Sequence, residues 1–319
     1  MKQIERIHAN GKIETFAEDE ASQLVPHEIV LFPSLRFWVT HCKSVKRRSC
    51  WVKPDSFPKL EDLKVIGSKD EDMVNFPFEM HQILYGIENI TFQHVFELVK
   101  VFKNGKESNR NYESSTVVKV KHLTLNNLPD LTHVWDDNLS CCFDSLEKIE
   151  IERCKKLKYL LPSSITFFNL TRIAVDYCTG MMHLFKSSVA KDLVNLKGMS
   201  ITNCTEMSCI VDVAEEEEES REEEIVFNRL EYLELYNLPR LTCFCFGKCL
   251  LKFFCLKILD IKKCPEMKTF SYGKISAPKL LFMSMEREKL STTHGINAII
   301  EDTWNDEILR SIKNLFTKH

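Results

Sequence analysis

Cys243, Cys245, Cys249 and Cys255 lie close together, and clustered thiols are the first candidates for chemistry because thiolates bind zinc. Their spacing lacks the Cys-x-x-Cys knuckle of structural zinc sites. Cys243 and Cys245 also flank Phe244, which the pattern set out below turns inward, so the cysteines read as packing residues. His133, His183 and His294 stand outside any paired-histidine motif, and no glycine-flanked nucleophilic serine occurs. Glycine numbers only 9, and no Gly-x-x-x-x-Gly-Lys-Ser/Thr loop is present to cradle phosphates. The glutamates Glu215 to Glu219 and Glu222 to Glu224 lack the spaced ligands and glycine turn of a calcium loop, and read as a solvated, self-repelling insertion. No catalytic residue, no cofactor and no metal is therefore expected.

The elements that carry these residues follow from composition and period. The formal net charge of -3 offers no basic face for nucleic acid. The first residues, Met1 to Arg6, hold no apolar signal core, and no run approaches the roughly 20 apolar residues of a membrane helix. With 13 cysteines in such a chain, reduced thiols in the cytoplasm or nucleus are expected. At 319 residues the chain is long for one ordinary core, but not for a repeat array.

A repeat is present. Counting Phe143 as position zero, apolar residues fall at +3 (Leu146), +6 (Ile149) and +8 (Ile151), then Cys154 at +11, Leu157 at +14 and Leu160 at +17. The same offsets recur from Phe167, Leu193 and Phe253, each with cysteine at +11. They recur from Phe227 and Val117 with Leu-Pro in its place, and from Leu84 without either. Partial copies start at Leu31 (with Phe37, Val39 and Cys42), at Phe57 and at Ala277. Positions +6 and +8 share one face of a strand, while the other apolar offsets turn in from the flanking loops. Each unit is too thin to bury its own wedge, so the units must stack and pair their strands in parallel.

Two long spacings, after Val101 and after Val211, fall where the chain returns to the next strand. At the start, Met1 and Ile4 fit the end of a truncated repeat, and residues 9–28 read as a polar return loop. From Ile296 to Phe316 the apolar spacing is helical. The expected organisation is a solenoid of about ten irregular repeats over residues 1–290 and a capping helix over residues 291–319.

The motifs Phe-x-x-Leu-x-x-Leu-x-Ile-x-x-Cys and Leu-x-Leu-x-x-Leu-Pro-x-Leu alternate here, with "NLPDLTHVW", "CPEMKTFSYG" and the acidic insert before "IVFNRLEYLELYNLPRL". Together they resemble the leucine-rich-repeat region of plant coiled-coil nucleotide-binding disease-resistance proteins, without the nucleotide-binding domain. The fold implied is an α/β leucine-rich-repeat solenoid (horseshoe) with a parallel sheet on its concave face and an irregular or short helical convex side. The resemblance implies a recognition module of an intracellular immune receptor. Its partners would be a pathogen effector or guarded host protein, and the nucleotide-binding domain of a parent receptor. The alternative weighed is an F-box-type substrate adaptor of a ubiquitin ligase.

In such a solenoid the strand residues between the buried positions face a partner. Those expected to carry binding are Arg153, Arg172, Asp176, Tyr177, Asn203, Tyr232, Glu234, Tyr236, Lys262 and Lys263. The tyrosines lead because a ring buries area while its hydroxyl stays wet.

Overall fold

The computed structural model describes residues 3–7, 13–17, 37–42, 61–67, 87–96, 98–102, 118–136, 139, 143–213, 223–285, 288–290 and 295–301. The chain falls into two units, Met1–Leu157 with Ser164–Phe167, and Lys158–Ser163 with Phe168–His319. Both are stretches of parallel leucine-rich-repeat solenoid.

The first unit holds β1 (Gln3–Ile7), β2 (Ile13–Ala17), β3 (Phe37–Cys42), β4 (Asp62–Gly67), β5 (Asn89–Gln93), β6 (Lys100–Phe102), β7 (His122–Asn126), β8 (His133–Trp135) and β9 (Lys148–Glu152). Strands β3, β4, β5, β7 and β9 pair in parallel in that order. β6 and β8 form a second parallel ladder. The register places Ile90 beside Leu123 and Leu123 beside Ile149, so the +6 positions align down the stack.

Two expectations are corrected in this unit. Leu63 and Val65 pair with Trp38 and Thr40, not with Phe37 and Val39, so that repeat counts from Phe32 and the reading from Leu31 is one residue out. A one-residue slip exchanges the two faces of a strand. Residues 9–28 are also not wholly a return loop. β2 lies within them and pairs antiparallel with β1, which itself meets β3 antiparallel at Glu5 and Val39.

The second unit holds β10 (Arg172–Asp176), β11 (Phe185–Lys186), α1 (Ser187–Asp192), β12 (Gly198–Thr202), β13 (Cys209–Asp212), β14 (Glu224–Phe227), β15 (Tyr232–Tyr236), β16 (Cys243–Cys245), β17 (Leu250–Phe253), β18 (Ile258–Lys262), β19 (Ile275–Ser276), β20 (Phe282–Met285) and β21 (Glu288–Leu290). Its main ladder runs β10, β12, β15, β18, β20 in parallel and closes on antiparallel β21. The return segments are more regular than the irregular or short helical convex side expected. They pair as β11–β13–β16 and β14–β17–β19, with α1 as one short helix among them.

The three-residue offsets have a direct cause. The +3 amide bonds the position-zero carbonyl, as in Leu146 to Phe143 and Leu196 to Leu193. The +14 amide bonds the +11 carbonyl, as in Leu157 to Cys154 and Leu241 to Leu238. Each bond closes a tight turn whose two end residues both point inward. The core is apolar: Leu146, Ile149, Cys154, Leu157 and Leu160 are wholly buried, as are their counterparts from Leu196 to Ile210. Phenylalanines stack between successive repeats, Phe227 on Phe253 at 5.2 Å and Phe244 on Phe270 at 4.8 Å. These two columns meet edge to face where Phe244 and Phe253 lie 5.8 Å apart. Such aromatic pairs add about 0.5–1.5 kcal/mol each beyond the area they bury.

Residues 296–301 are helical, with Ile296, Ile299 and Ile300 buried. The Asn297 carboxamide accepts from the Phe270 and Ser271 amides and donates to the Ser271 carbonyl. It thereby satisfies backbone groups that another repeat would otherwise pair. Residues 302–319, over which the helix was expected to continue, lie outside the described residues.

Candidate protein-recognition face

Strand alternation creates the candidate face. Along β15 and β18 the +6 and +8 side chains are buried, so +5, +7 and +9 stand on the opposite, open side. In the second unit register aligns Gly198, Tyr232, Ile258 and Phe282 at +5. It aligns Ser200, Glu234, Asp260 and Ser284 at +7, and Asp176, Thr202, Tyr236 and Lys262 at +9.

The +10 residues share one backbone conformation. His94, Asn127, Arg153, Tyr177, Asn203, Asn237 and Lys263 all have positive φ, between 51° and 55°. Every one of them is a +10 residue. The left-handed turn swings the chain off the sheet and aims the +10 amide forward. Tyr177 N–H bonds the Thr202 carbonyl, Asn203 the Tyr236 carbonyl, and Asn237 the Lys262 carbonyl. Asparagine tolerates this conformation better than most residues. The +11 thiol helps close the turn by donating to its own +9 carbonyl, as Cys204 does to Thr202 at 3.3 Å and Cys264 to Lys262 at 3.4 Å.

Side chains form a polar ladder along this edge. Thr202 Oγ1 and Asn203 Nδ2 both donate to Asp176 Oδ1, at 2.5 and 2.7 Å. Asn237 Nδ2 donates to Asn203 Oδ1 at 2.8 Å. Asp176 and Asn203, expected as partner contacts, are thus brought together as supports of the turn column. Lys263 donates to the Tyr236 hydroxyl at 2.7 Å and lies over that ring, so these two expected contacts also form one group. Lys262 pairs with Asp260 at 2.8 Å. Glu234 accepts from Ser200 at 2.7 Å.

Tyr232 is 36% exposed, and its phenol is pushed up to about 12, first by burial and then by Glu234, to which its hydroxyl bonds. Tyr177 stands 46% exposed at its left-handed turn. Arg172 opens β10 and is exposed. Arg153 lies in the first unit and pairs with Glu152, while the other nine belong to the second. Sequence reasoning placed Ile258 on the open face without choosing it as a contact, and did not single out Leu281 or Phe282. Ile258 and Leu281 are respectively 39% and 77% exposed, and Phe282, opposite Ile258, is half-buried. Their signal was available: +4 and +5 are open positions, and apolar residues there have no core to enter.

The cysteines lie elsewhere. Cys209 and Cys243 pair in register on β13 and β16, inside the stack. Burial pushes the thiols of Cys204 and Cys209 up to about 12, and a hydrogen bond with Cys249 together with burial pushes Cys245 higher. These three are neutral thiols near pH 7, which suits packing and disfavours metal binding or nucleophilic attack. Among the described residues no group of His, Cys, Asp and Glu is placed to hold a metal ion, and no helix is long and apolar enough to cross a membrane.

Comparison with known proteins adds two findings. Residues 34–167 and 165–274 match the family described as plant disease resistance protein RPS2-like, leucine-rich repeats. Over 160 residues the chain is 26% identical to "Putative disease resistance protein At4g10780" of Arabidopsis thaliana, a match covering 49% of this chain and 17% of that protein.

Proposed function

Because the chain belongs to the plant disease-resistance RPS2-like leucine-rich-repeat family, we propose that it is the protein-recognition module of a plant intracellular immune receptor. It contributes to defence by sensing a pathogen effector, or a host protein that an effector alters, through the concave face of its sheet. The observation that carries this reading is the open ladder of the second unit. It offers Tyr232, Ile258 and Leu281 to solvent on a backbone fixed by in-register hydrogen bonds. Rigid aromatic and apolar groups on a pre-organised surface are what protein interfaces use as anchors.

The same reading assigns the chain to the cytoplasm or nucleus and makes the nucleotide-binding domain of a parent receptor its second partner. The chain spans under a fifth of the curated relative it matches, so the receptor's switch belongs to this proposal too. No feature described above favours the substrate-adaptor alternative.

The test is co-expression in leaf tissue of the chain, joined to a receptor's nucleotide-binding region, with a panel of effectors, scoring cell death and co-precipitation. Ile258→Glu abolishes both for the recognised effector, while Lys155→Glu, at an exposed position after the turn, leaves both intact. Equal loss from the two variants, or none from either, refutes recognition through this face.

A further inference from the structure

Glu234 and Asp260 sit directly beside each other on adjacent parallel strands of the open face. Like charges opposite one another in a sheet are unfavourable, and proteins usually avoid the arrangement. The local cations do not balance this pair. Lys262 reaches Asp260 Oδ2 only. Lys263 is held on Tyr236, and Lys257 is paired with Glu231 at 2.6 Å. Glu234 takes hydroxyl donors, Ser200 and Tyr232, rather than a cation. Asp260 Oδ1, shielded from solvent beneath the face, has no hydrogen-bond donor among the described residues. Two carboxylates thus face one ammonium. Immediately beside them runs the apolar column Tyr232, Ile258 and Phe282, with Leu281 at its edge.

Resting on the recognition reading above, we propose that this corner of the face binds a partner segment in which one arginine or lysine is flanked by apolar side chains. The cation lies across Glu234 and Asp260, and the apolar groups cover Ile258, Phe282 and Leu281. A guanidinium suits the pair best, since its planar fork can donate to both carboxylates at once. The acidic pair supplies selectivity against acidic segments, and the apolar column supplies most of the buried area.

The test uses the full chain and two fluorescent peptides, one with a Leu-Leu-Arg-Leu-Leu core between Gly-Ser flanks and its twin with glutamate replacing arginine. Fluorescence anisotropy should show the arginine peptide binding at least about tenfold more tightly. That preference should collapse in the double variant Glu234→Gln, Asp260→Asn. The variant keeps its fold because it removes a repulsion, and its thermal melt checks this. Hydrogen exchange should show protection at residues 232–236, 258–262 and 282–285. Equal binding of the twins with protection at these strands overturns the cation proposal but leaves recognition by the face standing. Protection elsewhere, or no binding by either peptide, overturns the proposal. So does a preference that survives the double variant.

Discussion

Asn203 separates two contributions that a single substitution would confuse. Its φ of 55° favours residues that accept a left-handed backbone, and its carboxamide both donates to Asp176 and accepts from Asn237. Asn203→Ala removes both half-buried hydrogen bonds, about 1 kcal/mol each, and leaves a Cβ residue in the left-handed region at about 1 kcal/mol more. The expected loss is about 3 kcal/mol. Asn203→Gly loses the same bonds and relieves the backbone, but it adds roughly 0.5–1 kcal/mol of unfolded-state entropy. It should be the milder variant by up to about 0.5 kcal/mol. Thr202, one residue earlier and in β12, supplies the control: in an extended strand glycine should be worse than alanine. Equilibrium urea unfolding measures all four, with the slope checked because repeat arrays lose two-state behaviour. If glycine is the worse residue at 203 as well as at 202, the left-handed turn is not a source of strain and the account of the +10 column is wrong.

Gly273→Ala should cost at least about 2 kcal/mol, because a Cβ there meets the Cys249 carbonyl oxygen at 2.1 Å, whereas Gly198→Ala, with open space around it, should be close to neutral by thermal melting. The contribution of the buried thiols to stability should be constant below pH about 9, the ordinary thiol value, and be lost progressively as pH rises toward about 12. The folded thiols of Cys204 and Cys209 resist ionisation while the unfolded ones do not. Urea midpoints across that range measure this loss, and Cys209→Ala should reduce the slope. Of the nine cysteines whose burial is described, Cys255 alone is not buried, so mass spectrometry after brief alkylation of the native protein should find it modified before the other eight.

The parallel stack was legible because its wedge residues are apolar at fixed offsets and each offset has a mechanical cause. Two tight turns three residues long explain the +3 and +14 positions, and strand alternation explains +6 and +8. Where both faces of a strand are apolar the argument fails. Phe37, Trp38 and Val39 fit either register, and only pairing with β4 decides between them. The roles of the +10 residues were only half legible. Asn127, Asn203 and Asn237 advertise left-handed turns, but Arg153, Tyr177 and Lys263 occupy the same conformation without a matching propensity. Asp176 and Asn203 were expected as contacts, and the hydrogen bond between them could not be read from the spacing. Ile258 was placed on the open face by its offset but not chosen as a contact, because tyrosines were preferred as anchors, and Leu281 lies in a repeat of which only the first half fits the pattern.

The forward reach of the +10 amides gives the stack an arrow in time. Tyr177, Asn203 and Asn237 each find their acceptor on the repeat made after their own, while Lys197, Glu231 and Lys257 at +4 bond carbonyls on the repeat made before. A newly synthesised repeat can therefore dock its strand entrance at once, yet its exit turn stays open until the next repeat has left the ribosome. Folding along this chain would advance one repeat behind synthesis, with a single unfinished turn travelling at the growing end.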